Sequence, residues 1–336
     1  MLSSGHEKHH PKMEYQLDWI GTYSDQPERI DLILSALKDL SGVDLMMKEV
    51  GEQTFWEVLE SVHTPDYLKA LRLLSEAARD EDEYFYPVVH PRRLYNTGLQ
   101  ISQIIGYYSI DNFAPIGKDT YGAALEAART AYACAEEMAA NPETPVYALV
   151  RPPGHHAGRD YMGGYCYLNN AAIAARRLVE MGRVAILDVD YHHGNGTQEI
   201  FWHDADVLYV SIHGDPDQEY PLYSGRIEEK GGELAHGFNI NFPLPGGTKR
   251  DEYLQVLDKA LEAIITFQPR YLVISLGVDT YKNDPTGEFL LEQADFGAIG
   301  RRLAKTGLPL LILQEGGYDL LETGKLVAEL LINACG

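Results

Sequence analysis

The sequence contains few cysteines, few positive charges and no long apolar run. Only three cysteines occur among 336 residues, and Cys134, Cys166 and Cys335 form no CxxC pair. This spacing excludes a disulfide framework and a cysteine-based zinc site, so we expect a protein of the reducing cytoplasm. No window approaches the roughly 18 apolar residues of a membrane helix, and the polar N-terminal residues predict no secretory signal.

Positive charge is the second shortage. The chain has 28 Lys and Arg against 50 Asp and Glu, which gives a net charge of −22. Such a balance disfavours nucleic acids and anionic membranes as partners and is compatible with a cationic substrate. Internal repeats, low-complexity tracts and linkers rich in Pro, Gly or Ser are also missing. The chain therefore reads as a single domain over residues 1–336.

Short apolar runs alternate with amphipathic segments in the second half of the chain. The runs are nearly continuous in hydrophobicity, which is typical of strands covered on both faces; they cover residues 145–150, 184–187, 207–212, 271–276 and 308–313. Helices are predicted over residues 171–181, 251–267 and 293–305, the first capped by Asn169-Asn170 and ended by Gly182. The pattern predicts a single-domain, three-layer α/β/α fold with a central, mostly parallel sheet. The first 140 residues look mostly helical, with a polar, aromatic loop at 81–96.

Polar side chains follow the apolar runs, at the points where the predicted strands end. The segments are RPPGHH (151–156), DVDYHHGNG (188–196), GVD (277–279) and QEGGY (314–318). Ligands of open α/β sheets bind beyond the carboxyl ends of the strands. Four strand ends therefore deliver His, Asp and Tyr to the same edge of the sheet.

A metal site is the simplest account of the acidic strand ends. Asp188, Asp190 and His192 alternate, so they point to one side of an extended segment. Burying two carboxylates with an imidazole is costly unless a cation neutralises them. Asp190, His192 and Asp279 supply three ligands and leave a fourth position open, as in catalytic metal sites. The oxygen-rich set suits Fe²⁺ or Co²⁺ as well as Zn²⁺, and Asp188 is expected to support a ligand or to bind a monovalent cation.

Acid–base groups stand near this predicted site. His155 and His156 follow a rigid Pro-Pro-Gly turn, and adjacent histidines suit a proton-accepting role and an electrostatic supporting role. Tyr318 follows Gly316-Gly317, so its phenol can turn over the site and donate a hydrogen bond to an oxyanion. The tract His6, His9 and His10 is instead predicted to be an exposed loop.

The motifs together resemble the arginase–deacetylase superfamily, and within it the bacterial acetylpolyamine amidohydrolases, which are relatives of the zinc-dependent histone deacetylases. The matching segments are RPPGHHAGRDYMGGYCYLNNAA (151–172), AILDVDYHHGNGTQEIF (185–201), SIHGDP (211–216), SLGVDTYKNDP (275–285) and QEGGY (314–318), with weaker similarity at 92–94 and 105–108. The resemblance implies one Zn²⁺ on Asp190, His192 and Asp279. It makes His156 the general base and acid, with His155, bonded to Asp188, as its electrostatic partner and Tyr318 as the transition-state donor.

The resemblance also implies a substrate channel and two monovalent cation sites. Tyr165 and Tyr220 are expected to form the aromatic walls of the channel, with Gly164 and Thr286 beside them. A structural K⁺ is implied at Asp188 and Ser211. A second monovalent site is implied at Phe201, Asp204 and Val207.

The implied reaction is removal of acetyl groups from acetylated polyamines or diamines, giving acetate and a free amine. A homodimer is implied as well, with residues 84–118 as a candidate insertion that narrows the channel. The chain departs from the family pattern in two respects. Asn195 lies where many histone deacetylases carry Asp, and Ser102 and Phe113 lie where some polyamine deacetylases carry glutamates.

Two other kinds of enzyme are alternatives to this assignment. A protein or peptide acetyl-lysine deacetylase has the same catalytic groups and a more open pocket. A binuclear Mn²⁺ ureohydrolase needs further carboxylates and histidines to bridge two metals. Gly277 and Val278 stand beside Asp279, where such an enzyme would carry an additional carboxylate. One catalytic metal is therefore expected.

Overall fold

Ten strands and ten α-helices make up the computed structural model, which describes residues 1–16, 19–38, 40, 42–46, 48, 50–88 and 100–335. The strands are β1 (Met13–Gln16), β2 (Trp19–Thr22), β3 (Tyr84–Phe85), β4 (Ile116–Gly117), β5 (Val146–Ala148), β6 (Val184–Asp188), β7 (Val207–Gly214), β8 (Asn239–Leu244), β9 (Tyr271–Leu276) and β10 (Leu310–Gln314). The helices are α1 (Glu28–Lys38), α2 (Glu52–Val62), α3 (Pro65–Ala77), α4 (Ile101–Tyr107), α5 (Thr120–Ala140), α6 (Asn170–Val179), α7 (Asn195–Phe201), α8 (Arg250–Phe267), α9 (Gln293–Ala304) and α10 (Thr323–Ala334).

The central sheet has six strands in the order β5-β10-β9-β6-β7-β8, and each neighbouring pair is parallel. Alternate residues of each strand enter two separate cores, because successive side chains of a strand point to opposite faces. Val184 and Ile186 pack in one core with α2, α3, α5 and α6. Ala185 and Leu187 pack in the other with α1, α8, α9 and α10. The predicted three-layer α/β/α fold is therefore confirmed.

The five predicted strands are all present, but the edge strand β8 was missed. Its sequence, NINFPL, alternates polar and apolar residues and includes a proline, which weakens a strand signal. Asn239 and Asn241 are nevertheless buried, and both amides donate to Gln198 Oε1, at 2.8 and 2.9 Å. Buried asparagines that are hydrogen-bonded thus occupy positions of β8 where the other strands carry apolar residues.

Helix α6 begins as predicted and ends earlier. The Asn169 side chain caps it by accepting a hydrogen bond from Ala172 N at 2.9 Å. The helix ends at Val179, and its C-cap is Glu180 in the right-handed region, so the predicted role of Gly182 as helix terminator is wrong. Gly182 lies farther on, against Arg270, where the chain turns into β6.

The prediction of an exposed histidine loop is wrong, because His6 and His9 are buried and His10 is half-buried. The carbonyl oxygens of His6 and His9 accept hydrogen bonds from Arg151 Nη1 at 2.6 and 2.7 Å. Arg151 is itself fully buried and pairs with Asp25 at 3.1 Å. A buried guanidinium needs several acceptors, so this segment is held inside by the arginine.

Residues 84–118, the predicted insertion, lie only partly within the described residues. Residues 89–99 lie outside them, and so does half of the predicted loop at 81–96. The two ends of the stretch meet, because β3 pairs antiparallel with β4. Among the described residues, no helix has both the length and the apolar composition needed to cross a membrane.

Candidate active site

Asp190, His192 and Asp279 come together at the carboxyl edge of the sheet, directly after β6 and β9. Their ligand atoms all lie within 4.8 Å of one another. His192 Nδ1 lies 3.2 Å from Asp279 Oδ2 and 3.3 Å from Asp190 Oδ1. Both carboxylates are buried. The three predicted metal ligands therefore converge on one point in the fold.

Glycines make room for the two carboxylates. A Cβ atom on Gly277 would lie 2.1 Å from Asp190 Oδ2, and one on Gly316 would lie 2.5 Å from Asp279 Oδ2. The Gly316 amide also donates to Asp190 Oδ2 at 2.8 Å. The glycines that follow β9 and β10 thus let the backbone come close enough to orient the ligand atoms.

The electrostatics of this cluster fit a divalent cation. Burial raises the pKa of Asp279 to about 7, and the neighbouring Asp190 carboxylate adds to the effect. Burial opposes protonation of His192, yet Asp190 and Asp279 together raise the pKa of its imidazole to about 10. Two like charges this close are costly without a counter-charge. Because the donors are two carboxylates and one imidazole, a borderline or hard divalent metal suits them.

A second group with similar spacing consists of His155, Cys166 and Glu315. In this group, the Glu315 carboxylate has a structural role. Glu315 accepts hydrogen bonds from the backbone amides of Gly154 and His155, at 2.7 and 3.2 Å, and from the Ser275 hydroxyl at 3.1 Å. Glu315 thus holds the histidine-bearing loop to β9. Sequence reasoning missed this role, although the residue stands inside the QEGGY motif.

The two adjacent histidines have different environments. His155 Nδ1 lies 3.0 Å from Asp188 Oδ2, and, although burial opposes it, Asp190 and Asp188 raise the pKa of His155 to about 10. Burial lowers the pKa of His156 well below its ordinary value, and the charges of His155 and His192 lower it further. The opposite directions of these two shifts favour a cationic His155 and a neutral His156, the combination that the predicted supporting and base roles need.

Tyr318 is held from three sides over the same site. Its backbone amide donates to Asp284 Oδ2 at 2.6 Å. The Arg29 guanidinium lies 4.6 Å from the ring centroid, and the ring meets Tyr165 edge-on at 5.5 Å. Burial keeps the pKa of the phenol well above its ordinary value, so the hydroxyl remains a donor. Arg29 carries no sequence signal for this role, because Gly317 and Tyr318 lie far from it along the chain.

A cavity of about 600 Å³ leads to these groups. Its lining includes the predicted channel residues Gly164, Tyr165, Tyr220 and Thr286, together with His156, His192 and Tyr318. The Tyr220 ring meets His156 edge-on at 4.8 Å. Asp111 fixes this wall, since it accepts hydrogen bonds from Tyr220 Oη at 2.5 Å and from Gly164 N at 2.8 Å.

The cavity is also lined by two carboxylates that were not predicted from the sequence, those of Glu14 and Glu219. Glu14 is buried and accepts hydrogen bonds from Tyr165 Oη at 2.8 Å and from Ser24 Oγ at 3.0 Å. Glu219 precedes Tyr220 on the other wall. No Lys or Arg lines this cavity in the described part of the chain. Phe113 lines it as well, whereas Ser102 is exposed on α4 and does not.

The residues predicted to bind monovalent cations lie behind the active-site edge. Asp188 and Ser211 are fully buried and are direct partners in the β6–β7 register. Phe201, Asp204 and Val207 lie together between α7 and β7, where the Asp204 carboxylate pairs with Arg176 at 2.6 Å.

Comparison with known proteins identifies the family of this site. Residues 23–334 match the family described as the histone deacetylase domain. The chain belongs to the histone deacetylase family. It is 40% identical over 330 residues to acetylpolyamine amidohydrolase 2 of Pseudomonas aeruginosa, covering 96% of this chain and 95% of that one. It is 36% identical over 342 residues to the acetylpolyamine amidohydrolase of Mycoplana ramosa, covering 100% and 99%.

A solved structure shares the fold of this chain. The crystal structure of acetylpolyamine aminohydrolase from Burkholderia pseudomallei superposes with a TM-score of 0.91 at 33% identity, covering 99% of this chain and 98% of that one. The family and fold predicted from the motifs are confirmed, and the chain is a deacetylase.

Proposed function

We propose that the chain is a zinc-dependent amidohydrolase that removes acetyl groups from acetylated polyamines or diamines. One observation carries the proposal. A single cavity is lined by His192, one of the three predicted metal ligands, by the His156 imidazole and by two carboxylates, with no Lys or Arg among its described lining residues. The carboxylates favour a cationic substrate, and the relatives named above are acetylpolyamine amidohydrolases.

Asp190, His192 and Asp279 would hold the metal. A divalent metal bound there lowers the pKa of a water molecule and polarises the acetamide carbonyl. Zn²⁺ is proposed from the family, and the ligand set also accepts Fe²⁺ or Co²⁺. Asp279 has no second carboxylate beside it, which favours this account over a binuclear ureohydrolase.

The side chains around the cavity then divide the proton transfers. His156 Nε2 takes a proton from the water that attacks the acetyl carbon, and it later gives a proton to the leaving amine nitrogen. The cationic His155, beside Asp188, stabilises the site electrostatically. The Tyr318 hydroxyl donates a hydrogen bond to the carbonyl oxygen as negative charge develops there.

The channel supplies the binding energy for the rest of the substrate. Tyr165 and Tyr220 face an aliphatic stem from two sides, with Gly164 and Thr286 completing the wall. Glu14 and Glu219 lie on these walls and attract a distal ammonium group. We propose these contacts as the reason for preferring a small acetylated amine over an acetyl-lysine peptide.

The proposal extends to structural cations and to assembly. Asp188 and Ser211 would hold a K⁺ ion, and Phe201, Asp204 and Val207 a second monovalent ion through backbone carbonyls. A homodimer in which residues 84–118 narrow the channel is supported by large apolar side chains on the loops that carry Tyr220 and Tyr318. Leu222 is 58% exposed and Leu321 is 83% exposed.

A substrate panel tests the function. N-acetylputrescine should be hydrolysed with a kcat/KM at least about tenfold above that of N-pentylacetamide, which replaces the ammonium by a methyl group, because the carboxylates then lose their partner. An acetyl-lysine peptide should be slower than N-acetylputrescine. Faster turnover of the peptide would show that the chain is a protein deacetylase instead.

A further inference from the structure

A chain of side chains connects His156 to the protein surface. His156 Nδ1 lies 2.8 Å from Asn195 Oδ1. Asn195 Nδ2 donates to Tyr161 Oη at 3.2 Å and to Tyr223 Oη at 2.9 Å. The Tyr161 hydroxyl is hydrogen-bonded in turn to the carboxylate of Glu199. These groups therefore form one series of hydrogen bonds, which runs from the His156 imidazole through Asn195 and Tyr161 to the negatively charged Glu199.

Tyr161 and Glu199 meet beside Gly158. A Cβ atom on Gly158 would lie 2.3 Å from the Tyr161 ring and 2.9 Å from Glu199 Oε2. Tyr161 is buried, whereas Glu199 is exposed on α7. Burial raises the pKa of Tyr161 well above its ordinary value and Glu199 raises it further, so the phenol keeps its proton. The Glu199 carboxylate can therefore accept a hydrogen bond from Tyr161 without being part of the core.

The terminal carboxylate fixes the direction of each hydrogen bond. An ionised carboxylate only accepts, so the Tyr161 O–H donates to Glu199. The Tyr161 oxygen is then an acceptor, which requires Asn195 to present its NH₂ group to Tyr161. The amide oxygen consequently faces His156, and because that oxygen only accepts, His156 carries its proton on Nδ1. The lone pair of the neutral imidazole is left on Nε2.

We propose that Glu199 is a positioning residue that sets the tautomer of His156 through Tyr161 and Asn195. An asparagine beside the imidazole has nearly the same shape in its two amide orientations. A carboxylate at that position would accept in either orientation, but Asn195 needs a further group to define which end faces His156. The catalytic consequence rests on the base role proposed for His156.

Glu199→Gln tests the proposal, because a glutamine amide both donates and accepts and so no longer dictates the direction of the series. We expect kcat to fall about tenfold with KM unchanged, the order expected when one directional hydrogen bond is lost. The melting temperature should stay the same because Glu199 is exposed. Glu143→Gln, an exposed residue with the same charge change, should retain wild-type kcat. Wild-type kcat in Glu199→Gln would overturn the proposal.

A double-mutant cycle separates this role from a general structural one. Tyr161→Phe removes the hydroxyl that links Glu199 to Asn195. In that background, Glu199→Gln should have no further effect on kcat, because the connection is already broken. Additive losses in kcat would mean that Glu199 acts independently of Tyr161. That result would contradict the proposal that Glu199 acts through this series of hydrogen bonds.

The tautomer itself is measurable by ¹⁵N NMR of histidine-labelled, zinc-loaded protein. Wild-type His156 should show a protonated Nδ1 and an unprotonated Nε2, and Glu199→Gln should show both tautomers. A protonated Nε2 in the wild type would overturn the proposal. This measurement does not depend on turnover. A wild-type protein that hydrolyses no acetylated amine would refute the proposed function, and the NMR measurement would still test the tautomer of His156.

Discussion

Replacing Asp279 by asparagine is expected to remove both the bound metal and the deacetylation activity. The amide oxygen of the substituted side chain can still accept the Tyr191 amide, which lies 2.9 Å from Asp279 Oδ1, so the local backbone should keep its shape. The variant lacks one of two carboxylates that neutralise the cation. Loss of the metal should lower kcat/KM by on the order of 10³-fold. Elemental analysis of the purified variant together with acetate release checks both effects.

The matched control for Asp279→Asn is Asp251→Asn. Asp251 is exposed in the first turn of α8, so this control makes the same change of charge away from the site. It should retain metal and activity. An Asp279→Asn protein with full metal content and wild-type turnover would show that Asp279 is not a ligand.

Replacing His156 by alanine should abolish turnover while leaving the metal in place. His156 touches none of the carboxylate ligand atoms through a hydrogen bond, and its Nδ1 partner is Asn195. Because His156 is the proposed base and acid, its loss should lower kcat by about 10²- to 10⁴-fold. Metal content and kcat, measured on the same sample, distinguish this variant from Asp279→Asn.

Exposed His236 provides the control for the histidine variant. His236→Ala should behave as the wild type in both measurements. Loss of metal from His156→Ala would assign this imidazole to the metal cluster. Retained turnover would show that another group accepts the proton.

The site residues that sequence alone predicted are those that follow the strands. Asp190, His192 and Asp279 come directly after buried apolar runs, and a parallel sheet brings its carboxyl ends to one edge. Their local spacing and the topology are therefore enough to bring them together. Strand β8 escaped prediction because its buried face consists of Asn239 and Asn241 and its run includes Pro243.

The supporting residues escaped prediction because their contacts join segments far apart in the chain. Glu14 reaches Tyr165 across 151 positions, and Arg29 reaches Gly317 across 288. Neither residue belongs to a motif or a periodic pattern. Ser102 and Phe113, which stand where some polyamine deacetylases carry glutamates, illustrate the same limit, since the carboxylates of the cavity come instead from Glu14 and Glu219.

Titration of the metal-free protein with Zn²⁺, followed by acetate release from N-acetylputrescine, tests the central claim most directly. A single site held by Asp190, His192 and Asp279 predicts activity that rises from zero and levels off at one Zn²⁺ per chain. Full activity in the metal-free protein would contradict this account. A plateau at two metal ions per chain would also contradict it and would favour binuclear chemistry.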